Sequence, residues 1–122
     1  MLATCGADRT VRIWILENDT WKVTDILEES HTRSVRGVAW SPTGTHLASA
    51  SFDGTVVVWK QSESKQWEPM LTIEGHESEA KSVSWSFDEQ YIATCGRDKT
   101  VWIWETDIDY EYTTMSVLSK HT

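Results

Sequence analysis

Set against itself with a shift of 45 residues, the chain repeats: Asp8 falls on Asp53 and Asp98, Trp14 on Trp59 and Trp104, His31 on His76 and His121. The stretches between these markers repeat as well, A-D-R-T-V-R-I-W at 7–14 answering F-D-G-T-V-V-V-W at 52–59 and R-D-K-T-V-W-I-W at 97–104. A period of this length means that one supersecondary unit is used again and again, each copy burying its apolar face against the next. The repeat therefore constrains the fold more than any single motif does.

Inside a unit, Val, Ile, Thr and Trp are gathered in short runs separated by turn chemistry, and no stretch has helical amphipathicity. In the middle unit the pattern predicts four strands, Ser34 to Trp40, His46 to Ser51, Thr55 to Lys60 and Glu68 to Glu74. They are joined by S-P-T-G-T, by a tight F-D-G turn and by a polar loop. Short antiparallel neighbours of this kind make one sheet. Pro69 cannot donate to a ladder, which places the fourth strand at the outer edge and the first strand innermost. In the first strand of each complete unit the apolar residues are Val35, Val38 and Trp40, then Ala80, Val83 and Trp85, spaced three and then two. Strict alternation is broken there, so a β-bulge is expected at Arg36 and at Lys81.

Charge and cysteine usage exclude several classes of function. Eleven basic against nineteen acidic residues leave a net charge of −8, which works against a phosphate backbone or an anionic membrane as partner. No basic stretch leads into an apolar run and no window has eighteen consecutive apolar residues, so a cytosolic or nuclear protein is the default expectation. Cys5 and Cys95 stand ninety residues apart without a C-x-x-C partner or a histidine cluster, and buried reduced thiols outweigh a disulfide or metal reading. No metal-ligating or cofactor-binding set is expected.

A four-stranded unit of this length, with a G-H dipeptide and a tryptophan near the end of its third strand, resembles a WD40 blade. The expected fold class is all-β, a WD40 β-propeller fragment of about two and a half four-stranded antiparallel blades, not a closed propeller. Its units are a partial repeat at 1–31 and complete repeats at 32–76 and 77–122. The dipeptide that names the family is absent, since Ile15, Lys60 and Glu105 follow the three tryptophans.

The resemblance implies a polar network from a histidine before the first strand, through a second-strand hydroxyl, to the turn aspartate and the third-strand tryptophan. Two complete sets are present, His31, Ser49, Asp53 and Trp59, then His76, Thr94, Asp98 and Trp104. Ser, His and Asp together also invite a hydrolase reading. A nucleophile needs an exposed, strained site and an oxyanion hole, and one catalytic set suffices; a set that recurs in each repeat fits the satisfaction of buried polar groups. No catalytic residue is expected.

The same spacing marks the ends. Thr4, Asp8 and Trp14 lack a histidine, which would fall before Met1, and His121 precedes a blade that does not begin. The expectation is a fragment, because propellers close with about four to eight blades. An open arc is expected to be marginal alone and to self-associate through its open edges and apolar blade faces.

Arg36 and Lys81 sit in the expected bulges, with Ser34 and Glu79 two residues further back, and Phe52 and Arg97 immediately precede the turn aspartates. In WD40 proteins this rim is the usual docking face, and aromatic residues with arginines have the composition of an interface centre. Solvation of a loop is the competing reading for each of the six, and Arg97 is the preferred single candidate. Trp21, Trp67 and Tyr112 hold matching places in the fourth strands, where they are expected to pad the outer edge. Asp107, Asp109 and Glu111 read as a solvated loop.

Several stretches are more specific than a generic blade: T-R-S-V-R-G-V-A-W-S-P-T-G-T-H-L-A-S-A-S-F-D at 32–53, G-H-E-S-E-A-K-S-V-S-W at 75–85, A-T-C-G-R-D-K-T-V-W-I-W-E at 93–105 and E-Y-T-T-M-S-V-L-S-K-H-T at 111–122. They resemble the WD40 proteins of the cytosolic iron-sulfur assembly (CIA) machinery, at the first three repeats of a seven-bladed protein. That resemblance implies a non-catalytic scaffold, in the cytoplasm and also the nucleus, which helps deliver clusters to apoproteins and holds no cluster itself. Its partners would be other subunits of the targeting complex and client apoproteins. It also implies a functional exposed arginine in the R-D-K element, here Arg97. Ala80, where a valine is expected, and S-F-D-E-Q at 86–90 depart from the pattern. A WD40 adaptor in signalling or ubiquitin transfer is the alternative.

Overall fold

Alternation of apolar and polar residues, interrupted by turn residues, folds the chain into eleven strands. The computed structural model describes residues 1–106 and 112–122, and within them every regular element is a strand. The first sheet holds β1 (Leu2–Cys5), β2 (Val11–Glu17) and β3 (Thr20–Leu27) in that order. The second holds β4 (Val35–Trp40), β5 (His46–Ser51), β6 (Thr55–Gln61) and β7 (Trp67–Glu74); the third holds β8 (Ala80–Trp85), β9 (Tyr91–Gly96), β10 (Val101–Thr106) and β11 (Tyr112–Leu118). Each strand pairs antiparallel with its sequence neighbour. No barrel closes: the arrangement is an arc of three sheets with the propeller-blade topology anticipated from the repeat.

The tight turns explain why aspartate recurs. Arg9, Gly54 and Lys99 all take positive φ, at 70°, 87° and 67°, a region that side chains other than glycine adopt at some cost. The aspartate one position earlier holds the turn by accepting the backbone N–H two residues on, Thr10 to Asp8 at 3.1 Å, Thr55 to Asp53 at 2.8 Å and Thr100 to Asp98 at 3.1 Å.

Two kinds of irregularity break the ladders. Val35 pairs Ser51 and Gly37 pairs Ala50, leaving Arg36 in a bulge; Ala80 pairs Gly96 and Ser82 pairs Cys95, leaving Lys81 in the equivalent one. A second bulge recurs in the outer strands, opposite the step into Trp14, Trp59 and Trp104, at Thr24, Met70 and Met115. Pro69 lies beside it, in an edge strand, as a residue without an N–H must.

Every sheet has two apolar faces, here termed leading (towards the preceding sheet) and trailing (towards the following one). The trailing face of the first sheet, with Val11, Ile13 and Leu27 buried, packs on the leading face of the second, Leu47, Val57, Trp59 and Trp67. The trailing face of the second, Ala48, Ala50, Val56, Val58 and Ile73, packs on Ile92, Trp102 and Trp104 of the third. Burying such side chains stabilises by about 1.5–3 kcal/mol each, so these two interfaces hold the arc together. Trp67 edges onto Trp40 at 5.4 Å between ring centroids. It is 8% exposed, whereas Trp21 in the same repeat position is 48% exposed. The expectation that both pad a strand edge is corrected: the residue packs between sheets, and it is buried only where a sheet covers it. The side chain of Tyr112 and the loop residues Asp107, Asp109 and Glu111 lie outside the described side chains.

Candidate functional site

Two polar chains run through the interfaces between sheets. In the first, Trp59 Nε1–H donates to Ser49 Oγ at 2.9 Å, Ser49 Oγ lies 2.7 Å from His31 Nε2, and His31 Nδ1 lies 3.3 Å from Asp53 Oδ2. The second repeats it through Trp104 to Thr94 at 3.0 Å, Thr94 to His76 at 2.8 Å and His76 to Asp98 at 2.9 Å. Because each hydroxyl already accepts from an indole, its own proton is available for Nε2, and Nδ1–H then donates to the carboxylate. One neutral tautomer satisfies every group.

The electrostatics agree. Burial pushes His31 below the usual imidazole range, only partly opposed by Asp53, so the ring is neutral at neutral pH. For Asp53, burial raises the carboxyl, but donation from the Thr55 hydroxyl and from the backbone N–H groups of Thr32 and Thr55 outweighs it and holds the group low. Asp98 is lowered in the same way by Thr100, His76 and the backbone of Glu77. Ser49 is fully buried, so no substrate carbonyl reaches its hydroxyl. What this arrangement does chemically is to pair polar groups in a core, and thereby to fix the tight turns against the neighbouring sheet.

Those turns deliver side chains to a rim between the second and third sheets. A depression of about 410 Å³ there is lined by Thr32, Arg33, Phe52, Asp53, Glu77, Ser78, Glu79 and Arg97. Glu79 stands at its centre with 15% of its side chain exposed; Oε1 lies 3.5 Å from Arg97 Nη1 and 3.9 Å from Arg33 Nη1. Its own backbone N–H, against the opposing effect of burial, and then Arg97 and Arg33 hold the carboxyl below the usual range. Arg97 keeps 71% of its side chain exposed. Lys81, exposed in its bulge, places its ammonium 5.9 Å from the centroid of half-buried Phe52.

Of the six rim candidates, Phe52, Glu79, Lys81 and Arg97 are thus brought together. Arg36 is also exposed in its bulge but lies towards the first sheet, where its charge lowers the Cys5 thiol against the larger raising effect of burial. Ser34 serves the backbone, its carbonyl accepting from Phe52 N at 2.9 Å and Ser51 Oγ at 3.0 Å. Arg33 escaped the sequence reading because its convergence with Arg97 on Glu79 joins residues of different sheets. Thr55 and Thr100 escaped too, although the recurring D-x-T spacing announces them.

Gly96 sits where network and rim meet. A Cβ there would lie 2.6 Å from the carbonyl oxygen of Glu79 and 3.0 Å from His76 Nδ1. Gly96→Ala is therefore expected to destabilise the chain by about 1–3 kcal/mol and to shift the rim; thermal unfolding followed by circular dichroism checks it, and an unchanged midpoint contradicts it.

Comparison with known proteins bears on both features. Residues 1–14, 21–60 and 67–105 match the model of the family described as WD domain, G-beta repeat. Among curated relatives, "Probable cytosolic iron-sulfur protein assembly protein Ciao1" of Culex quinquefasciatus is 54% identical over 56 residues, 45% of this chain and 17% of its own length. "Protein CIA1" of Arabidopsis thaliana is 54% identical over 57 residues, 45% of this chain and 16% of its own. "Probable cytosolic iron-sulfur protein assembly protein 1" of Yarrowia lipolytica is 49% identical over 57 residues, 45% of this chain and 17% of its own. The match spans about one sixth of the length of these relatives.

Proposed function

We propose a binding function on one premise: this chain belongs to the WD domain, G-beta repeat family. It acts as a protein-interaction scaffold of the cytosolic iron-sulfur assembly machinery, without catalysis of its own, in the cytoplasm and the nucleus. The observation that carries the iron-sulfur part is the identity of 54% over 56 residues and 49% over 57 residues to proteins named for that assembly. Burial of both hydroxyls of the polar chains, Ser49 and Thr94, supports the absence of a hydrolytic role. The partners are other subunits of a cluster-targeting complex and the apoproteins that receive clusters.

The rim around Glu79 is the docking face in this reading. Arg97 is exposed 3.5 Å from Glu79 and shares its depression with Phe52, whose ring Lys81 overlies, in a chain that is otherwise strongly acidic. An arginine so placed offers a planar donor fork to a partner's carboxylate or carbonyl groups. Arg97→Glu is expected to reduce partner recovery by tenfold or more, the loss typical of a central interface residue. The test is affinity capture from cytosol on the tagged chain, wild type beside the variant, with bound proteins identified by mass spectrometry. Iron-sulfur assembly proteins that are lost with the variant support the reading. Signalling or ubiquitin-ligase components, captured equally by both, would replace it with a generic adaptor.

A further inference from the structure

The ends of β4 and β8 that lie away from the rim are closed by two sister turns, S-P-T-G-T at 41–45 and S-F-D-E-Q at 86–90. Both begin the same way, with Gly44 N–H donating to Ser41 O at 2.8 Å and Glu89 N–H to Ser86 O at 3.0 Å. A turn of this kind favours serine first, proline second and glycine fourth, and residues 41–44 meet all three preferences. At 86–89 Phe87 replaces the proline and Glu89 the glycine, so that Glu89 takes a φ of 62° where Gly44 takes 77°. Two local preferences are set aside in one turn, and positions where local rules are broken together mark function.

Glu89 has its compensation inside the chain. Its carboxylate accepts from Thr43 N at 2.8 Å and from Thr43 Oγ1 at 2.6 Å, which braces the turn of the third sheet against that of the second. Asp88 Oδ1 accepts from Ser86 Oγ at 2.6 Å and from Gln90 N at 3.1 Å, which holds the turn from within. Phe87 has no such return: its ring is 90% exposed, more than any other large apolar side chain among the described residues. That exposure belongs to the turn itself. Pro42 holds the same place in the second sheet, which has a sheet packed on each side, and it is exposed too. A single exposed apolar residue means little alone, but a phenyl ring carried on backbone that is already ordered has the form of an interface anchor.

The charge around the ring defines what it meets. The described connections at this end, 17–20, 41–45, 61–67 and 86–90, carry Glu17, Asp19, Glu63, Asp88 and Glu89 against Lys65 alone. The rim, about 20 Å away at the other end of the same strands, carries Arg33, Lys81 and Arg97. The two ends of the third sheet therefore suit partners of different charge.

We propose that Phe87 anchors a second docking surface, inserting its ring into an apolar pocket of a partner protein whose pocket edge presents lysine or arginine to Asp88. The same carboxylates repel an anionic membrane or a nucleic acid. With the rim at one end of β8 and Phe87 at the other, the third sheet holds two proteins at once. This surface follows from the turn alone and stands whether or not the iron-sulfur reading does.

The test places a photoreactive p-benzoylphenylalanine at Gln90, an exposed position of the same turn, in the tagged chain. The chain is irradiated in cytosol, adduct yield is measured by blotting, and the cross-linked segment is identified by mass spectrometry. One protein adduct is expected, its cross-linked segment apolar and flanked by lysine or arginine, with a yield that falls as salt rises. Phe87→Ser in the same chain is expected to lower the yield about tenfold or more, the loss typical of an anchor. Asp88→Asn keeps the oxygen that accepts from Ser86 and Gln90 and removes the charge; it is expected to lower the yield about threefold. No adduct, a cross-linked segment without basic residues, an adduct with lipid or with a second copy of the chain, or a yield indifferent to salt or to either substitution overturns the proposal.

Discussion

Replacing Trp59 with alanine is expected to cost the chain about 3–5 kcal/mol, the range measured for large aromatic deletions in closed cores. The indole is 2% exposed and belongs to the interface between the first and second sheets, together with Val11, Ile13, Leu27, Leu47 and Trp67. Two losses add there. The cavity removes contacts from both sheets at once, and the Ser49 hydroxyl, buried with His31, loses the N–H that it accepts. Against a total stability of about 5–15 kcal/mol for a domain, the first sheet then has little left to hold it. Trp59→Phe separates the two contributions, because it keeps most of the volume and removes only the donor; about 1–2 kcal/mol is expected from it. Urea unfolding followed by tryptophan fluorescence and circular dichroism measures both. Equal losses in the two variants would mean that the hydrogen bond, and not the packing, dominates.

Features written in local spacing are legible in the amino-acid sequence. The strands, the bulges at Arg36 and Lys81 and the His, hydroxyl, Asp, Trp sets each depend on residues a fixed number of positions apart, and the repeat displays that number more than once. The second set of bulges, at Thr24, Met70 and Met115, is not legible because the outer strands are polar and irregular, so no apolar rhythm is there to break. The contrast between Trp67 and Trp21 is hidden for a different reason: equivalent residues differ in burial according to whether another sheet arrives. The same holds for Glu89, whose carboxylate accepts from Thr43 N at 2.8 Å and from Thr43 Oγ1 at 2.6 Å in the turn of the preceding sheet. Its φ of 62° takes the left-handed place that Gly44 fills in the sister turn. The rim is half legible. Its members can be nominated from their places beside turns and bulges, but the convergence of Arg33 and Arg97 on Glu79 exists only in three dimensions.

Asp53→Ala should be the most damaging substitution of a polar residue, and its effect should depend on pH. Four donors converge on this carboxylate: the backbone N–H groups of Thr32 and Thr55, the Thr55 hydroxyl and His31 Nδ1. Hydrogen bonds to a charged acceptor contribute more than neutral ones, and the imidazole left behind is buried, so a loss of about 2–4 kcal/mol at neutral pH follows. In the wild type, His31 is held below its ordinary value of about 6.5. The unfolded chain therefore binds the proton first, and His31 contributes stability that is present above that value and declines as pH falls below it. Asp53 and Asp98 are also held low, so their contribution is full above about 4 and is lost as pH falls through that region towards their folded values. All three act in one direction, and the melting temperature should descend in two stages, below pH 6.5 and again below pH 4. In Asp53→Ala the acidic stage should be shallower, because one of the carboxylates held low in the folded chain is gone. The histidine stage should become larger, because Asp53 no longer offsets the burial of His31. Melting curves from pH 3.5 to 8 for both proteins test the linkage. A variant whose midpoint runs parallel to wild type across that range would mean that Asp53 is no part of a proton-linked network, leaving the tight turn as its only role.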